Sequence, residues 1–332
     1  MYTIKSVRGL FLTVLFCLFI SSSITLLSPH AGGVIQLPQT GQTNCYDTVG
    51  NVIPCVGTGQ DGEYRAGVAW PSPRITDNGD GTVTDNMTGL MWLKDANCIF
   101  TQYPSYDTYW SKDGAIPWQP ALDFVAGINN VGGTPDVDYF PNCGAGYNDW
   151  RLPNINELKI LAVNARWSYL YETWLESQVG PYESSTNFES TVFLDGWECW
   201  MMTLISSDAG NWNKTQNTFV WPVRAGQLDG NPDPAYPANV WRTGQTNCYD
   251  TNANIIPCVG TGQDGEYRAG VAWPSPRFTD NGNGTVTDNL TGLIWLKDAG
   301  CLGEQTWANA LNSANTLNSG ECGLSDGSQE GD

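Results

Sequence analysis

The sequence predicts an α+β fold, an antiparallel turn-rich sheet accompanied by two helices, stapled by disulfides and present as a tandem duplication. Three observations carry this expectation. Thr40 to Cys98 recurs as Thr243 to Cys301 with eight differences in 59 positions. Cysteines recur in matching pairs in both copies. Short alternating or apolar stretches run between Gly-containing turn dipeptides, and only a few segments have helix length and period.

The elements follow in chain order. Lys5 and Arg8 precede the apolar run Leu10 to Ile20 and then the small and polar stretch Ser21 to Ala31, so residues 1–31 read as a secretory signal peptide. The run is shorter than the ~20 residues that span a bilayer; extending it through Leu27 gives the alternative of an uncleaved anchor. Cys17 stands behind Phe16, where a lipoprotein signal would place a small residue. "LPQTG", Leu37 to Gly41, spells a sortase signal, but its counterpart in the second copy is "VWRTG", Val240 to Gly244. The shared part is "TGQTNCYD", so the pentapeptide is the lead-in to a repeat unit.

In "PRITDNGDGTVTDNMTGLMWLKDA", Asn78-Gly79 and Asp80-Gly81 supply the positive φ angles of a tight hairpin, with Ile75 to Asp77 and Thr82 to Asp85 as its strands. Thr88-Gly89 makes the next turn and Leu90 to Lys94 reads as a buried strand. Asp77, Asp80 and Asp85 admit two readings, Asx turns or a calcium loop. They miss the register of an EF-hand, and the second copy has Asn283 in place of Asp80. Trp118 to Ile128 presents Leu122, Val125 and Ala126 on one helical face, and Thr306 to Leu317 is its shorter counterpart. Asn154 with Glu157 three residues on is an Asn version of the capping box, so a helix is expected over Ile155 to Asn164. Trp197 to Ile205 and Thr218 to Arg224 read as strands. Trp92, Trp295 and Trp150 are expected in the core.

Cys45 and Cys55 map onto Cys248 and Cys258, and Cys98 and Cys143 onto Cys301 and Cys322. In an exported chain that paired recurrence reads as two disulfides per copy. Cys199, in "WECW", is left over; it reads as a buried thiol, or as a bond to another segment or chain. The final "QEGD" matches the approach to "YNDWRLPN", which aligns Asp332 with Asp149. The expected organisation is a first domain over 32–226 with an N-terminal Cys-loop lead-in, a linker over 227–241 rich in Pro, Gly, Asp and Asn, and a second copy over 242–332. That second copy reads as truncated and unable to close its core alone.

Composition narrows the chemistry. The formal charge is -19, and the leader holds Lys5 and Arg8, so the mature part is more acidic still. Such a surface repels phosphate backbones and anionic lipid and attracts divalent cations, which argues against nucleic acid and membrane as partners of the mature form. His30, at the signal junction, is the only histidine. Ser-His and Cys-His nucleophiles and His-ligated zinc are therefore excluded, while carboxylate chemistry is not.

The ordered set "RITDNGDGTVTDNMTGLMWLKDA", Trp118-x-x-Ala121-Leu122, "DWRLPNINEL", "SST" and "VWPVRAG" resembles the Lcl C-terminal domain family, the C-terminal domain of the Legionella collagen-like adhesin and related bacterial exported proteins. The likeness spans about Arg74 to Gly226, and again Arg277 onward. It implies a secreted, periplasmic or cell-surface domain with a fold related to C-type lectins, and in the adhesin a trimeric binder of sulfated polysaccharide. This chain lacks a collagen-like repeat, and its acidity suits neutral, cationic or calcium-bridged glycans better than sulfated ones. A homo-oligomer is a further implication.

Function is thus expected to be that of an exported non-catalytic binding module, a surface adhesin or glycan-binding protein. The polar-flanked Trp197 and the group Asp208, Asn211, Trp212 and Asn213, read as lying on a Gly-containing loop, are the candidate carbohydrate contacts, since sugar rings stack on indole faces while amides bond hydroxyls. No cofactor is expected beyond calcium. The alternatives are a carboxylate-dependent glycosidase, which needs two acids facing one cleft, and a purely structural cell-envelope repeat.

Overall fold

The first copy opens with a two-residue ladder, β1 (Cys45–Tyr46) against β2 (Val52–Ile53), closed where the Asp47 carboxylate accepts hydrogen bonds from the Val49 and Asn51 amides and from Asn51 Nδ2. The Cys45–Cys55 disulfide ties its ends, and one helical turn, α1 (Asp61–Tyr64), follows. These and the following elements come from a computed structural model that describes residues 33–133, 138–163, 178, 180–189, 197–204 and 206–329. The expected signal peptide, the helix end at Asn164, the strand end at Ile205 and the terminal Asp332 lie outside them.

The hairpin forms as its turn chemistry requires. β3 (Ile75–Asp77) pairs antiparallel with β4 (Thr82–Asp85) across a turn in which Gly79 and Gly81 have φ of 76° and 91°. Side chains avoid that left-handed region, so glycine is needed there. β5 (Met91–Leu93) continues the sheet; much later in the chain β9 (Val223–Arg224) pairs with β5, giving the order β3-β4-β5-β9. Beneath it Arg74 and Asp85 form a buried two-pronged ion pair, and Asp85 also accepts from the Met87 amide and the Thr88 hydroxyl. That saturation lets charges sit inside.

Helix α3 (Trp118–Asn129) and helix α4 (Ile155–Val163) pack against a second sheet, and helix α2 (Cys98–Gln102) packs against the turn Pro141–Cys143. The capping box is realised: the Asn154 amide donates to Glu157 Oε2 at 2.8 Å and the Glu157 amide to Asn154 Oδ1 at 3.0 Å. Glu157 also holds Arg151 in a buried bidentate pair, and Arg151 in turn donates to the Ala225 carbonyl, so "RLPNINEL" is tied to "VRAG". The second sheet has order β6-β7-β8: β6 (Pro181–Asn187), β7 (Glu198–Thr203) and β8 (Asp208–Asn213). β6 and β8 were not expected from sequence, and only the end of the strand expected over Thr218 to Arg224 forms one. Thr218 and Phe219 instead make isolated bridges to Ile116 and Tyr182.

The core is indole-rich. Trp92, Trp118, Trp150 and Trp221 are all fully buried, and Trp92 lies 5.1 Å from Trp221 between ring centroids. Three of them also use the indole N–H: Trp221 donates to the Leu93 carbonyl, Trp118 to Ser184 and Trp150 to Gly144. The Cys98–Cys143 disulfide closes the side of this core.

The second copy repeats the local structure of the first. β10 (Cys248–Tyr249) pairs with β11 (Ile255–Ile256), α5 (Asp264–Tyr267) matches α1, and β12 (Phe278–Asp280), β13 (Thr285–Asp288) and β14 (Ile294–Leu296) form a three-stranded sheet. Helix α6 (Trp307–Asn315) is capped by Thr306, and Cys248–Cys258 and Cys301–Cys322 repeat the disulfides. Residues 31–332 form one compact unit in which the lead-ins are exchanged. The Ile35 amide donates to the Leu290 carbonyl of the second copy, while its counterpart, the Ala238 amide, donates to the Met87 carbonyl of the first. The segment 227–241, of linker composition, is correspondingly packed, with Ala238 and Val240 buried.

One expectation is overturned. Trp295, expected in the core, is 56% exposed where its equivalent Trp92 is 1% exposed. The cover over Trp92 comes from Trp221 and β9, and residues 242–332 contain no counterpart of that stretch. Replacing Trp221 by Ala removes its contacts with Trp92 and Tyr182 and its bond to Leu93. It is expected to cost about 3–5 kcal/mol of unfolding free energy in urea titration, whereas Trp295→Ala should leave the urea midpoint close to the parent's.

Candidate binding site

The sequence-derived carbohydrate candidates fall on a strand pair. Asp208, Asn211, Trp212 and Asn213 all belong to β8, paired in register with β7 so that Glu198 faces Asn213 and Trp200 faces Asn211. Successive residues of a strand point to opposite sides, which puts Asn211 with Asn213 on one side and Asp208 with Trp212 on the other. The loop platform expected from Gly210 is therefore corrected to a two-sided ribbon. Asn211 donates to the Glu198 carboxylate, and Asn213 Oδ1 accepts from the Thr215 amide and hydroxyl. Trp197 stands at the entry to β7 and is 48% exposed, more open than Trp212.

The three candidate calcium ligands are each committed to protein partners. Asp77 meets Lys94 at 2.7 Å and accepts the Gly79 amide. Asp80 accepts from the Thr82 amide and hydroxyl and from the Tyr147 hydroxyl. Asp85 is held by Arg74. Among the described residues no group of three or more His, Cys, Asp or Glu side chains is placed to hold a metal ion.

Sequence reasoning missed a cleft of about 430 Å³ between α3 and the Cys-loop of the second copy. Leu122, Val125 and Ile256 supply apolar wall, and Gln119, Asp123, Thr261, Glu266 and Tyr267 supply polar groups. The i, i+3, i+4 spacing of Gln119, Leu122 and Asp123 on α3 was readable; that Tyr267 would face them was not, because it is 145 residues from Leu122 and is brought there only by the exchange of lead-ins. Asp123 accepts from Gln119 within the helix, and Glu266 is occupied by the Gly260 and Gly262 amides, which fixes the loop wall.

The wall is seated by a buried polar seam. Asp264 accepts from Thr243 at 2.6 Å and from Thr186 of β6 at 2.9 Å; Asn187 donates its amide N–H to Gln245 and its side chain to Gln263; Asn154 donates to the Ala269 carbonyl. Burial raises Asp264 to about 6. Also on β6, Glu183 accepts from the Thr218 hydroxyl at 2.6 Å and from the Cys199 thiol at 3.1 Å, and its burial lifts it to about 7. Cys199 is the buried free thiol, pushed well up first by burial and then by Glu183. Lys214, lowered by burial to about 8, lies 4.0 Å from the Trp118 ring and reaches the Asp250 carbonyl across the seam.

The segment 81–224, from β4 to β9, matches the family model described as the Lcl C-terminal domain. That segment belongs to the Lcl C-terminal domain family. No curated protein and no solved structure matches the chain. The Lcl domain supplies one wall of the cleft, α3, together with Trp150, Arg151 and Leu152, and the Cys-loop outside the matched segment supplies the other. The four disulfides fit an oxidising, exported setting. No helix of the described residues is long and apolar enough to cross a membrane.

Two measurements test these environments. With every candidate carboxylate already bonded, the melting temperature in millimolar calcium should equal that in chelator, and a calcium-dependent rise would place a cation on the turn. For Glu183, a carboxyl raised in the folded state stabilises fully below its ordinary value near 4.5, and that contribution is lost as pH rises through about 7. The loss is on the order of 3 kcal/mol by linkage. Glu183→Gln should therefore gain stability relative to the parent between about pH 5 and 8, read from urea midpoints across that range.

Proposed function

We propose that this chain is an exported, non-catalytic binding module that takes a neutral glycan, acting at the cell surface as an adhesin. The observation that carries the reading is the cleft: apolar wall with amide, hydroxyl and phenol groups at its rim is the composition that holds a sugar ring by contact and its hydroxyls by hydrogen bonds. Asp123 and Glu266 at the same rim disfavour sulfated ligands. A secreted, periplasmic or surface location, a homo-oligomeric state and a fold near the C-type lectins belong to the same proposal. Their support is the family membership, the disulfides and the pairing of helices with a turn-rich antiparallel sheet.

The non-catalytic part rests on where the perturbed acids are. Glu183 and Asp264, the carboxyls raised toward neutrality, are sealed and hydrogen-bonded away from the cleft. A general acid must reach the leaving group. The second reading is a carboxylate-dependent glycosidase, favoured by the presence of Asp123 and Glu266 in one cleft; Glu266 holding two loop amides weighs against it.

Glycan-array binding by the intact chain tests both. Saturable binding lost in Tyr267→Ala, with Trp197→Ala retaining it, is the expected outcome. Loss in Trp197→Ala instead would move the site to the β7–β8 ribbon, and release of reducing sugar from a bound glycan would replace the binding module by an enzyme.

A further inference from the structure

The two copies differ at one large surface. Phe278, Leu293, Ile294, Trp295, Leu302 and Trp307 are exposed in the second copy, whereas their equivalents Ile75, Leu90, Trp92, Ile99 and Trp118 are buried in the first, and Met91 is partly so. A patch of this kind on a soluble chain marks an interaction surface. β14 is also an edge among the described strands, while its equivalent β5 carries β9 on that side.

The first copy shows the chemistry that covers such a face. Val223 pairs with Trp92 and Arg224 with Met91; Trp221 packs on Trp92 and bonds the Leu93 carbonyl; the Ser184 carbonyl receives the Trp118 indole N–H. All of these belong to the stretch 150–226. A second difference between the copies involves the same stretch. In the second Cys-loop Asp264 is bonded by Thr243 and by Thr186 of β6, and Gln263 accepts from Asn187. In the first Cys-loop the Asp61 side chain is bonded, among the described residues, by Thr40 only, and Tyr64 of the same helical turn is 59% exposed against 36% for its equivalent Tyr267. The exchange of lead-ins puts that loop against the second copy: Tyr64 reaches Asn315 on α6, and Gly59 lies against Asn315 as its equivalent Gly262 lies against Leu122 on α3.

We propose that the apolar face of the second copy and the polar face of the first Cys-loop form one docking surface for a polypeptide segment of the 150–226 type. Its Trp-Pro-Val-Arg strand pairs with β14, and its Ser-Ser-Thr-Asn strand bonds Asp61 and Gln60. The apolar half supplies affinity by area removed from water. The polar half supplies register, because Asp61 and Gln60, which accept from the Thr40 hydroxyl and the Tyr46 amide, keep further acceptor capacity that a donor-bearing strand uses and an apolar one does not.

The test extends the full chain after Asp332, the residue that aligns with Asp149, by a second copy of residues 150–226, and maps both chains by hydroxyl-radical footprinting. The expected result is loss of labelling at Trp295 and Trp307 together with a partial fall at Tyr64, since the equivalents Trp92 and Trp118 are buried while Tyr267 keeps 36% exposure; both changes are absent when the appended counterpart of Trp221 is Asp. Protection at the tryptophans without Tyr64, or at neither, overturns the proposal. So does protection of the unextended chain through self-association, which would make a second copy of this chain the occupant. A variant of the unextended chain carrying Phe278→Thr, Ile294→Thr and Trp295→Ser should keep the parent's urea midpoint and, once extended, show no protection. A lowered midpoint would mean that the face is already packed and would equally refute the docking.

Discussion

The architecture depends on a buried polar strand finding its hydrogen-bond partners in another copy of the repeat. Ser184, Ser185, Thr186 and Asn187 are all buried, although their side chains favour water. Unpaired, each such group would cost free energy; paired with a partner it becomes a specific fastener. Here Thr186 and Asn187 are answered by the side chains of Asp264, Gln245 and Gln263, so the Cys-loop of one copy satisfies the buried strand of the other. Apolar packing alone would tolerate slippage at this seam. A directional set of donors and acceptors does not.

The helices, the hairpin and the disulfides were legible because each is written in local chemistry. Asn78 to Gly81 specifies its turn, Asn154 with Glu157 specifies a helix start, and the pairing of Cys45 with Cys55 and Cys98 with Cys143 follows from their recurrence. β6 was not legible, since "YESST" has neither apolar alternation nor turn signals and owes its burial to residues about sixty to eighty positions later. β8 was misread as a loop because Gly210 and the asparagines outweigh Trp212 in any local scale; its pairing with β7 decides the matter. Trp295 shows the reverse failure. Its local sequence is that of a core strand, and burial requires the distant stretch that covers Trp92.

The candidate site was less legible than the fold for the same reason. Tryptophans with polar neighbours drew attention to Trp197 and Trp212, but concavity is a property of surfaces brought together, and Tyr267 meets α3 only through the exchanged loop. The aspartates of the turn looked like a cation cage because sequence lists acids without their partners. Lys94, Thr82, Tyr147 and Arg74 are what they hold.

The cleft takes one wall from α3 and the other from the second Cys-loop. A molecule lodged there touches both copies at once, so its binding and their docking are thermodynamically linked: occupancy would clamp the seam, and any loosening of the seam would lower affinity without altering a single contacting side chain. The packed segment 227–241 that joins the copies thereby acquires a second role, since whatever steadies it steadies both walls of the cleft.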